Sequence, residues 1–176
     1  MSSVSVKIHA AEELDPDASA AIIALCEAAF AEPFDRLFAL LPGSRHVLVY
    51  DAGVLVSHAC WVTRWLQPAG RPALRTAYIE AVATLPARQR QGYGKIVMAR
   101  IVEETPTRDF RALSPAEPGF YERLGWEHWR GPTAIRTTAD PLPTPEDAIM
   151  ILRTAQTPPL DLDAAITAEW REGELW

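Results

Sequence analysis

The sequence has 176 residues, of which 48% are hydrophobic and 23% are charged. These values are typical of one folded domain and exclude a fibre or a wholly disordered chain. The first residues lack the charged and apolar regions of a secretion signal, and the apolar stretch 18–31 is too short to span a bilayer. Two cysteines, Cys26 and Cys60, fall in apolar segments, which predicts buried thiols and a reducing, cytoplasmic location. The sequence therefore predicts a single domain over residues 1–176.

The formal net charge is −6, from 17 basic and 23 acidic side chains, and the last part of the chain carries all of it. Residues 1–139 contain 15 of each sign, whereas residues 140–176 contain eight acids and two arginines. An acidic field opposes nucleic acid, whose phosphates need basic partners, and attracts a polycation. The segment 140–176 therefore favours a polycationic partner, and a solvated acidic tail is the alternative.

The first half of the chain has the pattern of a sheet with one long helix. Asp15-Pro16 predicts the start of that helix, which Pro33 should end, and a short second helix is expected over 34–41. Asp51-Ala52-Gly53 predicts a hairpin turn, and 68–72 a further turn. Apolar and β-branched runs predict strands over 3–10, 46–50, 54–65 and 73–84.

The second half alternates shorter strands with helices. Helical spacing predicts helices over 92–104, 118–124 and 163–170, the last with Asp161 or Asp163 as its N-cap. Strands are expected over 110–114, 126–129 and 149–152. Antiparallel hairpins followed by strand, loop, helix and strand are typical of an α/β or α+β domain.

The most specific local motif is Gln-Arg-Gln-Gly-Tyr-Gly at 89–94, which follows a strand and opens a helix. The first turn of a helix has unpaired backbone N–H groups and a partial positive charge, so it can bind a pyrophosphate. Gly92 and Gly94 leave the backbone open, and the spacing excludes a dinucleotide fingerprint and a Walker A loop. A glycine loop that only caps a structural helix is the alternative. Basic residues flank the motif at Arg88, Arg90 and Lys95.

This strand, loop and helix resemble the acetyl-CoA site of the GCN5-related N-acetyltransferases, whose pattern Q/R-x-x-G-x-G/A is matched by Gln89, Gly92 and Gly94. The resemblance implies a central mixed, mostly antiparallel sheet flanked by helices, and acetyl-CoA as the cofactor. In that family a bulge splays the strand before the loop, and its amides bind the pantetheine and the thioester carbonyl. The residues implied for this role are Val82, Ala83 and Thr84. The residues implied for the pyrophosphate are Gln89, Arg90, Gln91, Gly92, Tyr93, Gly94, Lys95 and Ile96.

Acetyl transfer to an amine needs a base for the ammonium and an acid for the departing thiolate. Glu80 is the sole carboxylate in the predicted strand 73–84 and is the candidate base. Phe120-Tyr121 and Gly125-Trp126 resemble the family's late F/Y-Y-x-x-x-G-F/W pattern, which implies Tyr121 as the acid. A solvent-facing glutamate and a core tyrosine are the alternatives. No metal site is expected, because the four histidines lack ligand spacing.

Further motifs resemble the aminoglycoside 2′-N-acetyltransferases. They are Tyr78-Ile79-Glu80-Ala81-Val82, Leu113-Ser114, Trp129-x-Gly131-Pro132-Thr133, Thr144-Pro145-Glu146-Asp147 and Trp170-Arg171-x-Gly173-Glu174-Leu175-Trp176. In that family the terminal carboxylate and nearby acids line the antibiotic pocket, and acetylation of the 2′-amine confers resistance. The resemblance thus implies that the acidic segment 140–176 faces the substrate. The substrate-binding residues implied here are Glu32, Glu80, Ala81, Ser114, Glu146, Asp147, Glu174 and Trp176.

The chain departs from that family before the first hairpin, where Pro33 and Leu41-Pro42-Gly43 replace an acidic residue and Leu-Gly-Gly. A smaller aminoglycoside with a 2′-amine, such as kasugamycin, is therefore a candidate in place of a deoxystreptamine type. Two alternatives stay open: an enzyme of the same fold acting on a polyamine, peptide or other small amine, and a non-catalytic acyl-CoA-binding module. The expected partners are a small polycationic substrate and a second copy in a homodimer, but neither nucleic acid nor a membrane.

Overall fold

The computed structural model describes residues 3–173 and 175–176, which divide into two compact units. The first unit comprises 3–62 with Ile79–Glu104, and the second comprises the remaining described residues. The strands β3 (Val54–Pro68) and β4 (Leu74–Thr84) contribute residues to both units. Among the described residues, none of the helices combines the length and hydropathy that a membrane span requires. The single domain stays a prediction.

The first unit consists of strands packed with helices. Its remaining elements are β1 (Val4–Ala10), α1 (Pro16–Phe30), α2 (Leu37–Leu40), β2 (Arg45–Asp51) and α3 (Tyr93–Glu104). The strand β2 pairs antiparallel with both β1 and β3, and α3 packs against β2. The apolar core draws on α1, β2 and α3 through Ile22, Leu25, Val47, Leu48, Val49, Val97, Met98 and Ile101.

The long helix α1 begins where its sequence predicts and ends earlier. The Asp15 carboxylate accepts the Ala18 amide at 2.7 Å, and Pro16 is the first helical residue. The helix ends at Phe30 rather than at Pro33, because Ala31 adopts a left-handed conformation with φ of 59°. The second helix, α2, covers only four residues.

The described residues of the second unit form short strands and one short helix. Its elements are β5 (Phe110–Leu113), α4 (Pro118–Glu122), β6 (Glu127–Trp129), β7 (Thr133–Arg136), β8 (Leu142–Pro143), β9 (Ile149–Arg153) and β10 (Ile166–Glu169). The strand β5 pairs parallel with β4 and antiparallel with β9, which also pairs with β6. The strand β10 pairs parallel with β7 and antiparallel with the end of β3. The predicted α/β class with a mixed, mostly antiparallel sheet is confirmed.

The helix predicted over 163–170 is wrong, because Ile166–Glu169 form the strand β10. Burial alternates along it, with Ile166 and Ala168 buried between half-buried neighbours. Pairing with a strand on each side outweighs the local helix propensity. Asp163, one of the two expected N-caps, instead pairs with Arg130 at 2.6 Å. The short strands β7 and β8 were not predicted.

Gly131 lies at a close backbone approach in the second unit. A Cβ atom added there would lie 1.9 Å from the carbonyl oxygen of Ala164. The indole N–H of Trp129 donates to that same oxygen at 2.8 Å, and the Gly131 amide donates to Leu162 at 2.9 Å. The motif Trp129-x-Gly131 therefore fixes the backbone that leads into β10.

Candidate active site

The strand β4 contains one residue with an unusual backbone conformation, Ala81, in the middle of the predicted site. Ala81 has φ of 49°, a left-handed conformation that costs a residue with a Cβ atom about 1 kcal/mol. Three successive residues, Glu80, Ala81 and Val82, are half-buried, whereas the four residues before them are buried. One left-handed residue within a strand is the geometry of a β-bulge. We interpret residues 80–82 as the bulge that the family resemblance implies, and call them the bulge below.

Side chains of β3 satisfy the backbone carbonyls of this bulged segment. The Nδ1 atom of His58 lies 3.1 Å from the carbonyl oxygen of Ala81. The Ser57 hydroxyl donates to the carbonyl of Ala83 at 2.8 Å and lies 2.8 Å from the Thr84 hydroxyl. Because buried carbonyls need partners, these contacts stabilise the departure of β4 from regular geometry.

The pairing of β4 with β5 stops before the bulge. It joins Thr76–Tyr78 to Phe110–Ala112, so the later residues of β4 take no part in that ladder. Val82 follows the bulge directly and is half-buried. Its amide is therefore the candidate donor to the carbonyl of an acyl group.

The loop before α3 has the geometry of an anion site. Gly92 has φ of 94°, and a Cβ atom added there would meet no heavy atom within 4 Å. The amides of Lys95 and Ile96 both donate to the Gly92 carbonyl, at 3.0 and 3.2 Å. The preceding amides of the first turn, at Tyr93 and Gly94, come before a helical acceptor is available. A glycine with this φ and open space in front of it lets a phosphate approach the backbone.

The exposed surface of this loop fits a diphosphate. Gln89, Arg90, Gln91 and Lys95 are exposed, so two cationic side chains are accessible there. The Gln89 side chain donates to the Thr84 carbonyl at 3.4 Å, which ties the loop to the end of β4. The residues present therefore suit the charged part of coenzyme A, both in backbone donors and in charge.

A buried carboxylate, Asp51, anchors the helix α3 and the loop that precedes it. Asp51 is 4% exposed and accepts the Tyr93 hydroxyl at 2.7 Å and the Arg88 guanidinium at 3.3 Å. The hydrogen bond to Asp51 raises the pKa of Tyr93, which keeps its phenol protonated. The side chain of Tyr93 thus points to Asp51, so only its backbone amide is available to a phosphate. The sequence indicates Asp51 only as a turn residue, because its partners are distant in sequence.

Glu80, the candidate base, is half-buried next to the bulge. Its backbone carbonyl lies 3.7 Å from the Cys60 thiol, which donates to it. Glu80, Ala81 and the three predicted pantetheine-binding residues share the first unit with the whole loop 89–96. The structure therefore places the candidate base and the predicted donor-binding residues in one unit.

The candidate acid, Tyr121, is a buried residue of α4 in the second unit. Its ring packs edge-on against Phe120 and Trp126, with centroid distances of 5.0 and 5.9 Å. Burial raises the pKa of Tyr121 to about 12, so its phenol holds its proton at neutral pH. A group that donates a proton needs that protonation state.

Thr144 joins the end of the chain to two exposed acids. The Trp176 indole N–H donates to the Thr144 hydroxyl at 2.8 Å, and the Asp147 amide donates to the Thr144 carbonyl at 3.1 Å. Glu146 and Asp147 are exposed, whereas Trp176 is buried. Three residues predicted to bind substrate are therefore brought together in the second unit by a threonine that was not predicted.

The other predicted substrate residues are more scattered. Glu32 is exposed just after α1, and Ser114 is exposed directly after β5. Glu174 lies outside the described residues. Their roles stay predictions.

A buried arginine holds the last residues in place. Arg64 is 2% exposed and donates to the carbonyls of Glu169 and Leu175, both at 2.7 Å. Its guanidinium lies 5.0 Å from the ring centroid of Tyr78. This arginine was not predicted as a functional residue. The available signal was an arginine within the apolar run 54–65, because a charge buried there must find partners.

Comparisons with known proteins identify the family. Residues 10–129 match the family model of the acetyltransferase (GNAT) domain. The chain is 34% identical to an aminoglycoside 2′-N-acetyltransferase of Mycolicibacterium fortuitum over 142 residues, 76% of this chain and 72% of that protein.

Two solved structures share the fold. Eis1 of Mycobacterium abscessus has a TM-score of 0.61 at 18% identity, over 75% of this chain and 32% of Eis1, so this chain spans about a third of that protein. The Escherichia coli GNAT protein YhbS, solved in complex with CoA, has a TM-score of 0.65 at 15% identity, over 97% of this chain and 92% of YhbS. The chain belongs to the GNAT acetyltransferase family, and acetyl-CoA is its acyl donor.

Proposed function

We propose that this protein transfers the acetyl group of acetyl-CoA to the 2′-amino group of an aminoglycoside. The observation that carries the proposal is the 34% identity, over three quarters of the chain, to an aminoglycoside 2′-N-acetyltransferase. The acidic excess of residues 140–176 supports it, because an aminoglycoside is a polycation. The exposed pair Glu146 and Asp147 is the part of that excess assigned to the acceptor.

The donor is assigned to the first unit. Residues 89–96 hold the diphosphate through backbone amides and the charges of Arg90 and Lys95, and Val82–Thr84 hold the pantetheine. Acetyl-CoA supplies an acetyl group activated as a thioester. The Val82 amide donates a hydrogen bond to the carbonyl oxygen that gains negative charge. A donor of this kind contributes about 3–4 kcal/mol at comparable sites.

Two side chains are assigned to the proton transfers. The Glu80 carboxylate takes a proton from the attacking amine, directly or through water, because such an amine is mostly protonated at neutral pH. The Tyr121 phenol gives its proton to the leaving thiolate. Its burial, which keeps the phenol protonated, supports this assignment.

The proposal extends to the acceptor and its consequence. Pro33 and Leu41-Pro42-Gly43, which depart from the pattern of the aminoglycoside enzymes, support a smaller acceptor with a 2′-amine, such as kasugamycin. Acetylation of that amine would give resistance to the antibiotic. A homodimer and a cytoplasmic location complete the proposal.

A panel of acceptors tests the function. The purified protein is incubated with acetyl-CoA and with kasugamycin, aminoglycosides with and without a 2′-amine, spermidine or a lysine peptide, and the released CoA thiol is measured. We expect thiol release only with 2′-amino compounds, and NMR of the product should place the acetyl group on that nitrogen. Turnover with spermidine or the peptide instead would indicate another amine acetyltransferase. CoA binding without turnover of any amine would indicate a non-catalytic module.

A cell assay separates resistance from turnover. Cells that express the chain should tolerate more of a drug bearing a 2′-amine and no more of a drug lacking it. Cells that express the Tyr121→Phe variant serve as the matched control. Equal tolerance of both drugs would argue against the assignment.

A further inference from the structure

Three buried polar side chains form a continuous row behind the bulge. The Ser44 hydroxyl lies 2.9 Å from Nε2 of His46, Nδ1 of His46 lies 2.9 Å from Nε2 of His58, and Nδ1 of His58 lies 3.1 Å from the Ala81 carbonyl oxygen. Ser44, His46 and His58 are 0% exposed. The row begins before β2, crosses β2 and β3, and ends on β4, all within the first unit.

The hydrogen bonds of the row have one direction. The Ala81 carbonyl can only accept, so His58 carries its proton on Nδ1. In a neutral imidazole Nε2 of His58 then accepts, which places the proton of His46 on Nδ1 and makes Ser44 the donor to His46. Burial lowers the pKa of His46 to about 4 and that of His58 to about 3, so both rings are neutral at physiological pH. Each ring therefore has a fixed tautomer.

We propose that His58 is a positioning residue that holds the bulge at Ala81 and thereby orients the Val82 amide toward the acyl carbonyl, and that Ser44 and His46 support it by fixing its tautomer. This inference rests on the proposed function, in which the Val82 amide donates a hydrogen bond to that carbonyl. A left-handed alanine persists only where its surroundings determine its conformation. The N–H group of His58 fixes that conformation, because it donates a hydrogen bond to the carbonyl of the left-handed residue itself.

The same cluster also has the composition of a metal site, and the hydrogen bonds oppose that interpretation. Potential ligand atoms of His46, His58 and Cys60 lie within 4.8 Å of one another. However, Nδ1 of His46 and Nε2 of His58 are 2.9 Å apart with a proton between them. A metal ion bound there would have to break this row of hydrogen bonds from Ser44 to Ala81, which we call the relay. Cys26, whose Sγ lies 3.8 Å from His58, is also a poor ligand, because burial raises the pKa of its thiol to about 12.

A matched pair of variants at one position tests the relay. The side-chain amide of Asn places a donor near the position of imidazole Nδ1, whereas that of Gln places one near Nε2. We expect His58→Asn to keep the donor to Ala81 and to retain kcat within about threefold of the wild-type value. His58→Gln should lose that donor and lower kcat about tenfold or more, with KM for acetyl-CoA little changed. The ¹H–¹⁵N NMR signal of Val82 in the CoA-free protein should shift in His58→Gln and stay near its wild-type position in His58→Asn.

Several outcomes would overturn the inference. A simple packing role would lower kcat equally in both variants, and an unchanged Val82 signal in His58→Gln would exclude the coupling. Should both variants fail to fold, the wild-type protein decides: imidazole ¹⁵N spectra must show Nδ1–H tautomers at His46 and His58. An Nε2–H tautomer at either ring, or displacement of both signals by added Zn²⁺, would refute the relay.

The two proposals fail separately. The Val82 signal and the imidazole tautomers are measured without substrate, so they test the relay even if no amine is acetylated. Conversely, an active enzyme whose two His58 variants behave alike retains the proposed function and loses the relay.

Discussion

The two units offer their candidate site residues in opposite ways. In the first unit the predicted donor site consists largely of backbone amides. Hydrogen bonds made by the side chains of His58, Gln89 and Tyr93 hold the bulge, the loop and the helix that present these amides. In the second unit exposed carboxylates, Glu146 and Asp147, stand beside a chain end that Thr144 and Arg64 hold. Donor binding should therefore depend on backbone geometry, whereas acceptor binding should depend on charge. Substitutions in the loop 89–96 and at the Val82 amide should affect all acceptors alike, whereas those at the exposed acids of the second unit should discriminate between acceptors.

Tyr121→Phe should have the largest effect on turnover. It tests an exception to this comparison, because Tyr121 is a buried side chain of the second unit that is proposed to take part in the chemistry. Removal of the phenolic proton should lower kcat about 100-fold or more, with KM for the acceptor little changed. Steady-state kinetics with a 2′-amino acceptor measures both. Because burial raises the pKa of Tyr121 to about 12, the phenol should show no titration between pH 6 and 9.

Tyr50→Phe provides the matched control. Tyr50 is half-buried on β2 beneath the Lys7 amine, so its variant also removes one phenol hydroxyl. Its kcat should equal that of the wild-type protein. Unchanged turnover of Tyr121→Phe would remove this tyrosine from the mechanism.

Acid should destabilise the first unit before the second. The folded-state pKa of His46 is about 4 and that of His58 about 3, against about 6.5 in the unfolded chain. The unfolded chain therefore binds more protons below pH 6.5, so the stability is complete above that pH and is lost as the pH falls. Between pH 7 and pH 5 the free energy of unfolding should fall by about 2 kcal/mol for each histidine.

Urea unfolding at several pH values measures this loss. His46→Gln should reduce the dependence of the free energy of unfolding on pH, whatever the stability of this variant at pH 7. The same substitution at His128, which is exposed in the second unit and lies 2.8 Å from Glu122, controls for the loss of one histidine. Equal slopes for the wild-type protein and His46→Gln would contradict the burial of a neutral ring.

Local signals in the first unit were strong enough to predict most of its elements. The Asp15 cap, the Asp51-Ala52-Gly53 turn and the Gly92 loop each depend on adjacent residues, and all three occur as expected. The contacts that hold the site could not be predicted in this way. His58 is 23 residues from Ala81, and Asp51 is 42 residues from Tyr93, so no local pattern connects them.

In the second unit, local signals were weaker because the strands are short. The four residues of β10 are defined by pairing with β7 and β3, which the sequence does not display. The charge asymmetry, by contrast, was visible in the sequence alone. The position of Glu146 and Asp147 beside Trp176 depends on Thr144, whose hydrogen bonds span 32 residues. Composition thus predicted the character of this surface but not its arrangement.

Gly92→Ala should weaken CoA binding without a clash inside the protein. The added Cβ atom meets no protein atom within 4 Å, so its cost comes from a φ of 94° and from its position in front of the loop amides. We expect the Kd for CoA to rise about tenfold and the stability to fall by about 1 kcal/mol. Isothermal titration calorimetry and urea unfolding measure the two effects.

Gly94→Ala is the control for this loop. Gly94 lies within α3, and the family pattern accepts alanine at its position. CoA should bind this variant about as tightly as the wild-type protein. If both variants bound CoA normally, the diphosphate would have to be held elsewhere.

The smallest effect is expected for the acids of the second unit, and it depends most on the acceptor. Glu146→Gln and Asp147→Asn should each lower kcat/KM for a polycationic acceptor a few-fold at low salt, because exposed charges contribute modestly and are screened. The same variants should leave the Kd for CoA unchanged. With a simple monoamine as the acceptor, their kcat/KM should equal that of the wild-type protein. Kinetics at about 20 and 300 mM salt should show the loss shrinking as the Debye length shortens.

Asp140→Asn separates a local contact from the field of the whole segment. Asp140 is exposed in the same acidic segment and carries the same charge, so its removal changes the net charge equally. If Glu146 and Asp147 contact the acceptor, their variants should exceed Asp140→Asn in effect. Equal losses for all three would mean that the segment only attracts the polycation, and the residues that bind it would then have to be sought elsewhere.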